Sequence, residues 1–221
     1  MKMMKKMIAV VVAALVSVAA FAEESNWSDY VGIGAAGLFS NLKVHDDGNR
    51  KNMGGALALN GLMVNQLSGL SVKIDFDIGG ATTKDVPDEN RVSGLAGMFG
   101  LGFGYSFIHS EDTVLALFAK AGYDYYAYNG KNETIQNNKK LDEESIEITE
   151  LGLGADVTFV KRISNNIHFF ASVDARFPVL GSEDRRFSDK DADESYYTGI
   201  NRSITGNISV TPSLGVMWKL K

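Results

Sequence analysis

From Leu70 to Ile78 every second residue is apolar and the residues between are not: Leu70-Ser71-Val72-Lys73-Ile74-Asp75-Phe76-Asp77-Ile78. A strand sends successive side chains to opposite faces. One face of this strand can sit in lipid. The other carries Lys73, Asp75 and Asp77 and needs polar surroundings. The same alternation recurs in eight segments: Tyr30–Phe39, Met53–Met63, Leu70–Gly80, Ser93–Ile108, Thr113–Tyr128, Ile146–Val160, Ile167–Val179 and Ile204–Leu220.

The first residues read differently. Lys2, Lys5 and Lys6 form a basic start, Met7 to Val18 is an apolar run too short to span a bilayer, and Ala20-Phe21-Ala22 is a small-residue cleavage site. We expect residues 1–22 to be a cleaved signal peptide and residues 23–221 to be one domain. Removing Lys2, Lys5 and Lys6 from 22 basic residues leaves 19 against 27 acidic ones, a net charge of −8. That balance argues against a nucleic-acid partner, which selects basic faces. The chain has no Cys, which excludes disulfides, thiolate metal sites and a lipid-modified N-terminal cysteine. Beyond the leader no apolar run is long enough for a membrane helix, so any crossing must use strands.

The connections alternate in length. Ser40–Lys51, Ala81–Val92, Asn129–Ser145 and Leu180–Ser203 are long and polar; Val64–Gly69, His109–Thr113 and Lys161–Asn166 are short. Four long loops and three short turns are what eight strands with both termini periplasmic require. The faces also differ in a telling way. In Ser93–Ile108 the odd positions are Leu95, Gly97, Phe99, Leu101, Phe103, Tyr105 and Phe107, whereas the even ones are mostly Gly and Ala. A soluble exterior would be rich in Lys, Glu, Thr and Gln; small residues suit a crowded lumen. Tyr105, Phe107, Phe159, Phe169 and Trp218 fall near one end of the traced strands and Tyr123, Tyr125 and Phe177 near the other, as two interfacial girdles would. The expected fold is therefore all-β: an eight-stranded antiparallel up-and-down transmembrane barrel in an outer membrane, monomeric, with lipid as its main surrounding.

This pattern resembles the small eight-stranded outer-membrane proteins of diderm bacteria, of the OmpX, OmpW and OmpA-barrel type. The resemblance covers the chain after the leader and rests on architecture. Leu214, Val216, Trp218 and Leu220 supply the alternating end typical of such proteins, but the chain closes on Lys221 instead of an aromatic residue. No peptidoglycan-binding segment follows, so the full OmpA role is not implied.

The trace turns Lys73, Asp75, Asp77, Lys120, Asp124, Glu150, Asp156, Asp174 and Arg176 inward. Buried charges persist only when paired or solvated, so we expect a polar plug centred on Lys120, with a Glu150–Arg176 pair above it. Among the middle strands Phe118, Phe170 and Met98 are the large apolar residues expected inside. Tyr196 and Tyr197, in the last long loop, are the aromatics expected to anchor an extracellular partner. Asp189-Lys190-Asp191-Ala192-Asp193-Glu194 opens like a calcium loop but has Glu194 where Gly is needed and Ile200 where an acid is needed. The period-two glycines Gly100, Gly102 and Gly104 lack the strand-turn-helix context of a nucleotide fingerprint. His109-Ser110 sits in a short turn with Glu111 following, which a polar turn explains as well as a catalytic set does, and His45, His109 and His168 are too scattered for zinc. No catalytic, metal or cofactor site is expected. The expected role is envelope structure or surface interaction through four long loops; a narrow channel or a conduit for small hydrophobic molecules is the alternative.

Overall fold

In a computed structural model the described residues are 26–44, 48–86, 91–136, 139–188 and 198–220. The expected leader, residues 189–197 with Tyr196 and Tyr197, and His45 lie outside them. Among the described residues the strands are β1 (Trp27–Val44), β2 (Gly48–Asn65), β3 (Leu70–Val86), β4 (Arg91–His109), β5 (Thr113–Gln136), β6 (Lys139–Ser164), β7 (Ile167–Ser188) and β8 (Thr198–Lys219). Each pairs antiparallel with its neighbours in chain order, and β8 returns to β1, so the sheet closes into a barrel. Closure removes the free sheet edges that hydrocarbon would not tolerate, apart from an interval between β7 and β8.

The short connections, the start of β1 and the end of β8 lie at one rim, the turn end. In the β2–β3 turn the Asn65 side chain accepts the backbone N–H groups of Leu67 and Ser68, and Gly69 takes a positive φ of 75° that a side chain would resist. The opposite rim, the loop end, differs from expectation. The segments read as long loops are mostly strand, for β1 runs on to Val44, β3 to Val86, β5 to Gln136 and β7 to Ser188.

The reason is visible on β6. Leu151, Leu153, Ala155, Val157 and Phe159 face outward and are exposed, a band of nine residues. That matches the ~9–11 residues a tilted strand needs to cross a bilayer. Beyond Glu150 the alternation continues but the chemistry trades faces: Ile146 and Ile148 are buried inside, while Ser145, Glu147 and Thr149 face out. On β1 the same exchange puts Leu42 and Val44 inside and Lys43 outside. A strand that leaves lipid for water has to bury its oily side chains inward. Polar residues past the band therefore belong to walls, not to loops.

Within the band the partition is oily out, polar in. Lys73, Asp75 and Asp77 are buried in the lumen, and Lys73 reaches Asp156 on β6 across the bore. Val72, Ile74 and Phe76 lie on the other face; Ile74 and Phe76 are the least exposed there, flanked in register by Leu101, Leu59 and Phe99. Two bulges adjust the pattern. One near Ser106 lets both Phe107 and Ile108 point outward, and one at Leu151/Gly152 does the same for Val179 and Leu180.

Candidate functional site

The lumen is layered. At the turn end Tyr30, Leu62, Val64, Val114, Phe118, Val160, Phe170 and Met217 form one apolar cluster, with His168 edge-on to Tyr30 at a centroid separation of 5.2 Å. Towards the loop end a second cluster contains Leu38, Leu42, Val44, Met98, Tyr126, Tyr128, Ile146, Ile148 and Ile204. The large apolar lumen residues thus extend well past Phe118, Phe170 and Met98. The sequence reading missed most of them because it carried the membrane polarity beyond the membrane.

Between the clusters lies a charged layer. All nine residues that the sequence turned inward are buried in it. Lys120 Nζ stands 2.5 Å from Asp75 Oδ2, 2.5 Å from Asp174 Oδ2 and 3.7 Å from Asp156 Oδ2. Lys73 donates to Asp156 Oδ2 at 2.7 Å and to Thr158 Oγ1 at 2.8 Å, and lies 3.3 Å from Asp75. Thr158 in turn donates to Asp156 Oδ1 at 2.6 Å.

Glycines make room for these long side chains. Lys120 has Gly102 and Gly154 as its ladder partners, Lys73 has Gly102 on β4, and Asp75 has Gly100. A Cβ at Gly100 would run into Lys120 Cε, and one at Gly122 would run into the Arg176 guanidinium. This last path corrects an expectation. Arg176 does not pair directly with Glu150. Its chain passes over Gly122 to Asp124 Oδ1 on β5, at 2.8 Å, with Nε 3.1 Å from Asp174. Glu150 instead accepts the Ser209 hydroxyl at 2.7 Å. Sequence spacing placed Glu150 and Arg176 near each other; the missing side chain at Gly122 opened the other route.

Six carboxyl groups (Asp75, Asp77, Asp124, Glu150, Asp156 and Asp174) share this layer with three cations (Lys73, Lys120 and Arg176). One cavity of about 10 Å³ in this layer is lined by Asn60, Asp75, Asp77, Lys120, Asp156 and Asp174, among others. That is room for about one water molecule. Asp77 borders it without an ion pair or hydrogen bond to another described residue. Among the described residues no group of acids and histidines is arranged to hold a metal ion.

Above the layer the wall itself is interrupted. Between Arg176↔Ser209 and Ser182↔Ser203, no described residue of β7 pairs with β8, although the register on either side is the same. The interval is residues 177–181 facing 204–208. Pro178 cannot donate to a ladder, and the adjacent bulge bends β7. Phe177, Val179, Leu180 and Ile208 are exposed on the outside of this gap; Ile204 is buried on its inside, as part of the upper apolar cluster. Higher still, Arg50 and Glu183 form a buried pair, with Nη2 to Oε1 at 2.9 Å. The sequence reading gave neither a role. Both stood in presumed loops, and the bulge reverses the parity that would have marked Glu183 as inward.

Comparison with known proteins agrees with this geometry. The family described as outer membrane protein beta-barrel domain matches residues 8–210. Among solved structures, a major outer membrane protein from Thermus thermophilus is similar with a TM-score of 0.58 at 12% identity, covering 87% of this chain and 99% of that one. The outer membrane protein OprG from Pseudomonas aeruginosa gives 0.53 at 11% identity, covering 87% of this chain and 95% of that one. At these identities the likeness concerns the fold. No curated protein matches the sequence.

Proposed function

The chain belongs to the outer-membrane β-barrel family, and from that premise we propose that it is a small, eight-stranded, non-enzymatic member that passes small apolar molecules between the exterior and the lipid. The turn end and both termini face the periplasm after removal of residues 1–22, and the loop end faces outward. The observation that carries this reading is the unpaired interval between β7 and β8, set beside the apolar upper lumen. An apolar solute entering from the loop end meets Leu38, Leu42, Ile146, Ile148 and Ile204, then a charged floor that it cannot cross without desolvating paired ions. The side exit past Ile204 and Leu180 leads to acyl chains. The same floor argues against an aqueous pore, since its ions are buried and tie strands together across the bore.

The test is uptake of a small apolar fluorophore by lipid vesicles holding the folded barrel. Faster uptake than by empty vesicles, slowed towards the empty-vesicle rate by Ile204→Trp, supports the conduit. Uptake no faster than by empty vesicles, or indifferent to Ile204→Trp, overturns it.

A second reading has its own support. β6 is 26 residues long, and its stretch from Lys139 to Glu150 lies past the apolar band. At ~3.3 Å per residue and ~45° tilt this wall rises roughly 25–30 Å above the membrane, a platform suited to presenting a surface to an extracellular partner. Capture of a partner by cells bearing the barrel, lost when the raised wall is shortened, would favour it.

A further inference from the structure

The outward faces of the raised wall are not alike. On β1 and β2 the last large apolar residues facing lipid are Phe39 and Met53, 43% and 62% exposed. The next outward positions are Asn41 and Lys51, ladder partners, followed by Lys43. Lys43 and Lys51 are both exposed, and neither forms an ion pair with a described residue. The ladder then pairs Lys51 with Lys84 and Lys84 with Arg91, so basic residues stand in register on β2, β3 and β4, with Lys43 on β1 two residues beyond the Asn41 that faces Lys51. The corresponding stretch of β6 and β7 carries Glu147 and Asp184, with Arg186 tied to Asp184 at 2.6 Å. A basic run in a chain of net charge −5 stands against the bulk composition.

We infer that the β1–β4 rim at the loop end binds the phosphate of a phosphorylated lipid in the surrounding leaflet, with Lys43 and Lys51 as its contacts. Their height decides the ligand class. They are the first cations beyond the apolar band, at the level where headgroups begin, and basic side chains there attract anionic lipid. The wall directly beneath is shaped to suit an acyl chain. Gly37, Gly55 and Gly80 are consecutive ladder partners on the outward face. A Cβ on Gly55 or Gly80 would meet nothing nearer than 3.8 or 3.7 Å, while Met53, Leu57 and Leu95 stand up around them. This inference takes from the proposed function only that the loop end faces outward, and its failure would leave the conduit untouched.

The experiment measures retention of diphosphorylated lipid A by the folded full chain in detergent, by native mass spectrometry. Dephosphorylated lipid A and inorganic phosphate serve as the other two probes. The wild type should retain the phosphorylated lipid, and Lys43→Glu with Lys51→Glu should weaken retention about thirtyfold or more. Gly55→Leu, which fills open space and leaves both lysines in place, should weaken it by a smaller factor without moving the heat-dependent gel shift. Equal retention of the dephosphorylated lipid, unchanged retention by the double variant, or full displacement by millimolar inorganic phosphate would each overturn the inference.

Discussion

Lys120 touches three aspartates on three other strands, so it ties β5 to β3, β6 and β7 across the lumen. Its surroundings were prepared by residues that are absent as much as by residues that are present. Gly100 gives it the width that a Cβ would deny, and its own ladder partners are Gly102 and Gly154. The lysine and its carboxylates were legible in the sequence from alternation alone. Which acid each cation chooses was not, because that depends on the small residues across the ladder. Replacing Lys120 by Met should leave Asp75 and Asp174 short of a partner in a buried layer. We expect a loss of about 3–5 kcal/mol in reversible urea unfolding from lipid vesicles. Stability within about 1 kcal/mol of wild type would mean that water carries these charges and that the plug is not closed.

At the scale of the element, β6 shows how one alternating strand serves two solvents. Its phase never slips between Ile146 and Phe159, yet the oily set changes from the inner face to the outer one at Glu150/Leu151. The strand was legible; its continuation past the membrane was not, since a polar stretch rich in Lys, Glu and Asn satisfies a loop as readily as an outer wall. The exchange predicts a sharp asymmetry. Ala155→Lys, at the centre of the outward band, should cost roughly 2–4 kcal/mol in vesicle unfolding, as a cation at mid-depth does. Glu147→Lys, on the same face above the exchange, should cost less than about 1 kcal/mol, as surface charges do. Equal costs at both positions would place the boundary elsewhere. β7 adds the complementary lesson. Pro178 stands in the sequence, but the bulge beside it and the parting of β8 from β7 over residues 204–208 appear only once the strands are paired.

For the whole molecule, closure and the stacked lumen make a prediction about bulk behaviour. A closed barrel with a core of two apolar clusters around an ionic layer should resist detergent at room temperature. Its gel mobility should shift only on boiling. In planar bilayers it should pass no steady ionic current, because buried side chains paired across the bore fill the ionic layer. A stable current of discrete steps would require that layer to open.

What the chain determines by itself is the division between inside and outside. Side-chain direction along a strand has a period of two residues, and burying charge in lipid is costly, so alternation alone sorts Lys73, Asp75, Lys120, Asp156 and Asp174 from Val72, Val157 and Leu153. What only the tertiary structure decides is everything that depends on neighbours far along the chain. That covers Arg176 reaching Asp124 rather than Glu150, Arg50 meeting Glu183, and the parting of β7 from β8. These follow from ladder register, and register is set by strand closure and bulges that no single segment contains.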